Sequence, residues 1–162
     1  MVCRSPEVMN AHTISTSGYD LTPLSDAERQ HHAARLTQAQ RHVLLAQGTE
    51  APFCGNLLDN HRDGVYACAL CGLPLFSSGD KFDSGTGWPS FVRPFDHDHV
   101  RTLTDSSHGM QRIEARCARC DGHLGHVFPD GPPPTRARYC LNSEALEFFD
   151  EGEVPPQRTA IS

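Results

Sequence analysis

Two stretches, Cys68-Ala69-Leu70-Cys71 and Cys117-Ala118-Arg119-Cys120, decide how this chain folds. Sulfurs two residues apart can hold one cation from a tight turn, and two such turns complete the tetrahedral thiolate set that structural zinc prefers. The spacing predicts one zinc ion bound by Cys68, Cys71, Cys117 and Cys120, with no coordination position open for chemistry. Cysteine also packs as a small apolar residue, but two matched pairs favour metal. A zinc deaminase shares the CxxC element and needs a His-x-Glu partner; no histidine here has Glu two residues later.

Strand signals surround both pairs. Gly64-Val65-Tyr66-Ala67-Cys68 opens one strand, Gly109 to Cys117 another, and Arg138 to Asn142 and Leu146 to Phe149 read as two more. The pairs then lie at the tips of two hairpins, which the metal would join across a long loop and so pin what a small core cannot. Upstream, Ser25-Asp26-Ala27-Glu28 and Thr37-Gln38-Ala39-Gln40 have the capping-box form and predict two short helices. In the second, Leu36, Ala39, Val43 and Ala46 make an apolar stripe and Gly48 is placed to end it.

The 162 residues suit one domain, expected over 21–150, with an N-terminal tail over 1–20 and a C-terminal tail over 151–162. A net charge of -6 and a single lysine, Lys81, argue against nucleic acid as a partner, and no apolar stretch approaches the ~18 residues of a membrane span. Seven cysteines, an odd number, in a chain without an apolar leader point to reduced thiols, and the expected setting is the cytoplasm.

Cys140, in Arg138-Tyr139-Cys140-Leu141-Asn142, stands outside the pairs. It reads either as a packed, inert thiol or as a reagent. Arg138, two residues away on the same strand face, offers a cation that favours the thiolate, and Asn142 on that face offers an amide. His123-Leu124-Gly125-His126-Val127-Phe128-Pro129 supplies two imidazoles able to give a proton near neutral pH, or simply solvated on a loop. Trp88, the only tryptophan, lies in Gly85-Thr86-Gly87-Trp88-Pro89, where it is either core or one wall of a pocket.

Phe82 to Phe91, Cys117 to Thr135 and Arg138 to Ser143 together resemble the B-type methionine-R-sulfoxide reductases, with order kept over about 22 to 150 and Gly48-Thr49-Glu50 ahead of the strands. The resemblance implies a mainly β, Mss4-like fold of antiparallel sheets pinned by structural zinc, with short N-terminal helices. It also implies a catalytic Cys140 that attacks the sulfoxide sulfur of a methionine in an oxidised peptide. His126 with His123, Asn142 and Arg138 would assist, Trp88 and Phe128 would contact substrate, and a sulfenic acid would form on Cys140. Many relatives carry a resolving cysteine where Thr86 stands, and threonine cannot form that disulfide. Cys54, Cys3 or an external thiol must then resolve; Cys54, in a Pro/Gly-flanked loop, is preferred, with thioredoxin as reductant and a monomeric chain. A zinc-pinned binding module and a cysteine hydrolase are the competing readings, and fold alone cannot separate them.

Overall fold

The structure is a computed structural model and describes residues 14–106 and 109–155. Both capping boxes form. Ser25 Oγ accepts the Glu28 N–H at 3.1 Å and Glu28 accepts the Ser25 N–H at 2.8 Å, opening α1 (Asp26–Ala33). Thr37 and Gln40 repeat the exchange at 3.1 and 2.9 Å for α2 (Gln38–Ala46). Gln47, left-handed at φ 56°, ends α2 in place of Gly48. The apolar stripe differs as well: Leu36, Val43 and Leu44 are buried, while Ala39 and Ala46 face solvent.

Among the described residues nine strands follow: β1 (Gly64–Cys68), β2 (Pro74–Ser77), β3 (Lys81–Phe82), β4 (Ser90–Phe91), β5 (Val100–Asp105), β6 (Arg112–Cys117), β7 (His123–Phe128), β8 (Arg138–Leu141) and β9 (Leu146–Asp150). They build two antiparallel sheets, β2-β1-β9 and β3-β4-β8-β7-β6-β5. The strand at Gly64 begins and ends where the sequence put it, whereas the strand expected from Gly109 starts at Arg112. His123 to Phe128, whose glycine and histidines read as a loop, is the central strand β7, because ladders to β6 and β8 on both sides override a weak local preference.

Between the sheets lies an aromatic cluster. Phe76 stacks on Phe91 at 4.6 Å between centroids, Tyr66 meets Phe91 edge-on at 5.1 Å, and Tyr139 leans on Phe76 at 5.6 Å. Tyr66, Phe76 and Phe91 are fully buried, each contributing the large apolar area and ring-pair geometry that a domain of this size needs.

The two cysteine turns are built alike. In the first, Gly72 N–H returns to Cys68 O at 2.8 Å and Cys68 N–H reaches Leu73 O at 2.8 Å; in the second, Asp121 N–H returns to Cys117 O and Cys117 N–H reaches Gly122 O, both at 2.9 Å. Each turn needs a left-handed residue after its second cysteine, supplied by Gly72 at φ 81° and by Asp121 at φ 64°. Arg116 Nη1 holds the Asp121 carboxylate at 3.2 Å. Leu44 of α2 covers the second turn, and Arg35 donates to the Ala69 and Leu70 carbonyls of the first at 2.7 and 2.9 Å.

Ile14 to Asp20, which the sequence assigns to the N-terminal tail, packs on the domain. Ile14 bridges to Asp20, Ser17 donates its N–H to Asp96 Oδ2 at 2.8 Å, and Ser15 Oγ meets the buried His99 Nε2 at 2.9 Å. Cys3 and residues 156–162 of the expected C-terminal tail lie outside the described residues.

Gly125, in the middle of β7, sets how closely β7 and β8 approach. A Cβ there would fall 2.0 Å from the Cys140 carbonyl oxygen, which is backbone and cannot step aside. Gly125→Ala should therefore force the strands apart at Cys140 and cost about 3 kcal/mol or more, read as a lowered calorimetric melting temperature.

Candidate active site

Strand register brings the chemistry together. In the β7–β8 ladder Cys140 pairs directly with His126, and Arg138 with Phe128, so the four side chains share one face of the sheet. That face floors a cleft of about 230 Å³ lined also by Thr49, Thr86, Trp88, Arg112, Gly125, Leu141 and Asn142. A larger cavity of about 610 Å³ lies beyond Trp88, lined by residues such as Leu58, Lys81 and Asp83 and by no cysteine. The chemistry-bearing groups converge in the smaller one.

Trp88 is held by its indole N–H, which donates to Glu50 O at 3.0 Å. Its loop is braced by a hydroxyl chain in which Ser84 Oγ meets Thr86 Oγ1 at 2.8 Å and Ser90 Oγ at 2.7 Å. Asn142, buried at the end of β8, donates to Leu124 O at 3.0 Å and accepts the Glu50 N–H at 3.0 Å, which ties β7, β8 and the segment after α2 into one wall.

The histidines separate by burial. A register shift in the β6–β7 ladder puts both rings on one side, 5.5 Å apart between centroids, but only His126 lines the cleft. Its Nε2 lies 2.8 Å from Asp105 Oδ2, beside Arg112. His123 is 3 % exposed and sits behind, with Nδ1–H donating to Glu114 Oε2 at 2.7 Å. Burial alone would raise the Glu114 carboxyl, but donors from Arg116, Gln47 and His123 outweigh it and hold the pKa at about 2. Burial lowers the His123 pKa, so its ring is neutral and its Nε2, buried without a hydrogen bond, cannot give a proton near neutral pH.

The Cys140 thiol is pushed up by burial, and that outweighs the downward pull of Arg138 and of a hydrogen bond from Thr86. Arg138 is engaged elsewhere: its guanidinium forks onto Asp130 at 2.8 and 3.2 Å and lies over the Phe128 ring at 4.4 Å. The expectation that Arg138 favours the thiolate holds in direction and loses in magnitude. Thr86 thus touches the Cys140 sulfur directly.

Cys54 is exposed and outside the cleft lining, in a turn where Phe53 N–H donates to Gly87 O at 2.7 Å. No disulfide joins it to Cys140. Cys68, Cys71, Cys117 and Cys120 are buried, with Cys68 and Cys120 sulfurs 3.5 Å apart, Cys71 and Cys117 sulfurs 3.5 Å apart, and all four within 4.8 Å of one another. Tetrahedral thiolates about 2.3 Å from a cation stand about 3.8 Å apart, so the set fits a single metal ion. Sequence reading gave no role to Glu114, Asp105, Arg112 or Glu50; three carboxylates and a guanidinium on three segments, β5, β6 and the stretch after α2, come together only once the strands are paired.

The molecule is thus a mainly antiparallel β fold with a candidate metal site of four buried cysteines and a separate cleft where Cys140 meets His126. The family model described as the SelR domain matches residues 36–150, and the chain belongs to that family. It is 60% identical over 147 residues, 91% of this chain and 92% of the relative, to a protein of Caulobacter vibrioides (strain NA1000 / CB15N) named peptide methionine sulfoxide reductase MsrB. A protein of Xylella fastidiosa (strain M23) with the same name is 57% identical over 140 residues, 86% of this chain and 90% of the relative.

Because burial raises the Cys140 pKa, the thiol is neutral below its ordinary value and ionises only above it. The rate of Cys140 alkylation by iodoacetamide should rise with a midpoint above the ~8.5 of a free thiol, and Arg138→Ala, which removes a lowering influence, should move that midpoint higher still.

Proposed function

We propose that this chain reduces peptide-bound methionine-R-sulfoxide to methionine. The observation that carries the reading is the direct pairing of Cys140 with His126 in a cleft walled by Trp88, in a chain 60% identical to a protein named for that reaction. Cys140 attacks the sulfoxide sulfur while His126, held by Asp105, delivers the proton to the oxygen. Net, one oxygen passes from the methionine sulfur, which gains two electrons, to the Cys140 sulfur, which loses two and becomes a sulfenic acid. His123, neutral on Glu114, fixes the ring beside it.

Trp88 receives the methyl group on sulfur, and Phe128 lines the same cleft. With the methyl against the indole, only the R configuration turns its oxygen toward His126; the S form directs it at an apolar wall without a donor. Burial keeps the Cys140 sulfur protonated at rest, and as it attacks, its proton passes to His126 and replaces the one given to the oxygen.

Cys54 resolves the sulfenic acid. Its sulfur bonds to Cys140, the S–O bond breaks, and the hydroxyl departs as water with the Cys54 proton. The support is Thr86, which bars the position many relatives use, and the exposure of Cys54 in a loop hydrogen-bonded to Gly87, next to Trp88. Thioredoxin, with a potential near ~-270 mV, reopens the disulfide. The chain acts as a monomer of the reducing cytoplasm; no helix among the described residues is long and apolar enough to cross a membrane.

The metal would be zinc, held by Cys68, Cys71, Cys117 and Cys120, and it would serve the fold by neutralising thiolates such as those of Cys71 and Cys120, whose charged form burial and the neighbouring sulfurs oppose. Cys120→Ser should reduce the metal content from one zinc per chain toward none, measured by plasma emission, and unfold the domain, since metal binding of this kind is folding free energy.

The function is tested by offering both sulfoxide diastereomers of a methionine peptide with thioredoxin. Consumption of the R form alone is expected; inactivity on both would return the weight to a binding module. In the same assay Cys54→Ser should lose thioredoxin-dependent turnover while still making one methionine per chain, and parental turnover would remove Cys54 from the cycle.

A further inference from the structure

Three polar groups of Glu50 fix parts of the cleft, although its side chain does not enter it. The N–H donates to Asn142 Oδ1 at 3.0 Å, the C=O accepts the Trp88 indole N–H at 3.0 Å, and carboxylate Oε1 accepts the Glu144 N–H at 3.0 Å. Two of the contacts therefore set the wall opposite His126, and the third anchors them to the turn that follows β8.

The carboxylate is costly where it stands. Burial raises its pKa against the pull of the 143 and 144 amides and the Ser143 hydroxyl, and Oε2 is buried without a hydrogen bond of ordinary geometry. The same space admits Ser143 and Gly55 only because Gly55 has no side chain: a Cβ there would stand 2.4 Å from Glu50 Oε2 and 2.2 Å from Ser143 Oγ. A half-satisfied buried carboxylate binds its seat weakly. Cys54 lies four residues further along the same segment, whose remaining fastening to the Trp88 loop is the Phe53 N–H to Gly87 O bond.

We propose that Glu50 is a positioning residue for both halves of the catalytic cycle. Its carboxylate, docked on the Glu144 amide, holds the 49–55 segment where it presents Trp88 and Asn142 to Cys140. Undocking of that carboxylate frees Cys54 to travel to the Cys140 sulfenic acid. The second half rests on the reading of Cys54 as the resolving thiol; the first half does not.

Two variants of the full, metal-loaded chain separate reach from charge. Glu50→Asp keeps the charge and falls short of the Glu144 amide, whereas Glu50→Gln keeps the reach and an acceptor oxygen. Trp88, the sole tryptophan, reports its own seating by fluorescence, and single turnovers give the half-saturating concentration of peptide sulfoxide and the rate of disulfide formation.

Glu50→Asp is expected to shift the Trp88 emission to the red, raise half-saturation about tenfold or more and speed the disulfide step. Glu50→Gln is expected to restore the parental emission and half-saturation. Parental emission and half-saturation in Glu50→Asp would overturn the positioning role, and shifted values with an unchanged disulfide rate would overturn the release half. Failure of the Cys54 reading shows separately, as parental thioredoxin turnover in Cys54→Ser.

Discussion

Four sulfurs drawn to one point fix the geometry of everything else. The cluster joins the β1–β2 hairpin to the β6–β7 hairpin, and the reacting strands start from those two turns. β7 begins at His123, directly after the second turn, and reaches His126. β9 begins at Leu146 opposite Cys68 of the first turn, where Ala69 N–H also bonds Ala145 O at 3.0 Å. β8, between them in the chain and paired with β7, is placed from both ends. Cys140 meets His126 because neither hairpin can slide: a one-residue slip would turn the thiol to the opposite face.

Within the cleft, burial competes with charge, and burial wins at the sulfur. Arg138 and Thr86 both favour the thiolate, but Asp130 occupies the guanidinium and the enclosed setting costs more than they return. The opposite balance holds at Glu114, where three donors overcome burial. These two outcomes divide the work between the histidines. Burial keeps His123 neutral against the pull of Glu114, whose carboxylate fixes the ring behind the sheet, and His126 is left as the imidazole at the cleft beside Asp105. A thiol that burial holds in its neutral form is also shielded from casual oxidation, since susceptibility follows thiolate character and exposure.

Much of this was legible in the sequence because it depends on local spacing. The CxxC turns, both capping boxes and β1 follow from residues a few positions apart, and the structure repeats them closely. Cys140, His126, Trp88 and Asn142 lie in motifs of high specificity, and the structure brings the four to one cleft. The rest required pairing. β7 looked like a loop because glycine and histidine carry little strand preference, and only its place between β6 and β8 makes it a strand. Asp105 and Glu114 carry no local signal, and Glu50 gave none beyond its place in Gly48-Thr49-Glu50; their partners are fixed by strand pairing or lie far along the chain. The anchoring of Ile14 to Asp20 was hidden for the same reason, as its partners Asp96 and His99 lie some eighty residues away.

The central claim is that the sulfur of Cys140 accepts the oxidation, and trapping shows it most directly. Cys54→Ser protein, mixed with an equimolar R-sulfoxide peptide and then with a sulfenic-acid-specific diketone, is digested and read by mass spectrometry. One adduct per methionine formed, located on Cys140, is the expected result. Methionine formed without an adduct on Cys140, or with the adduct on another cysteine, would contradict it.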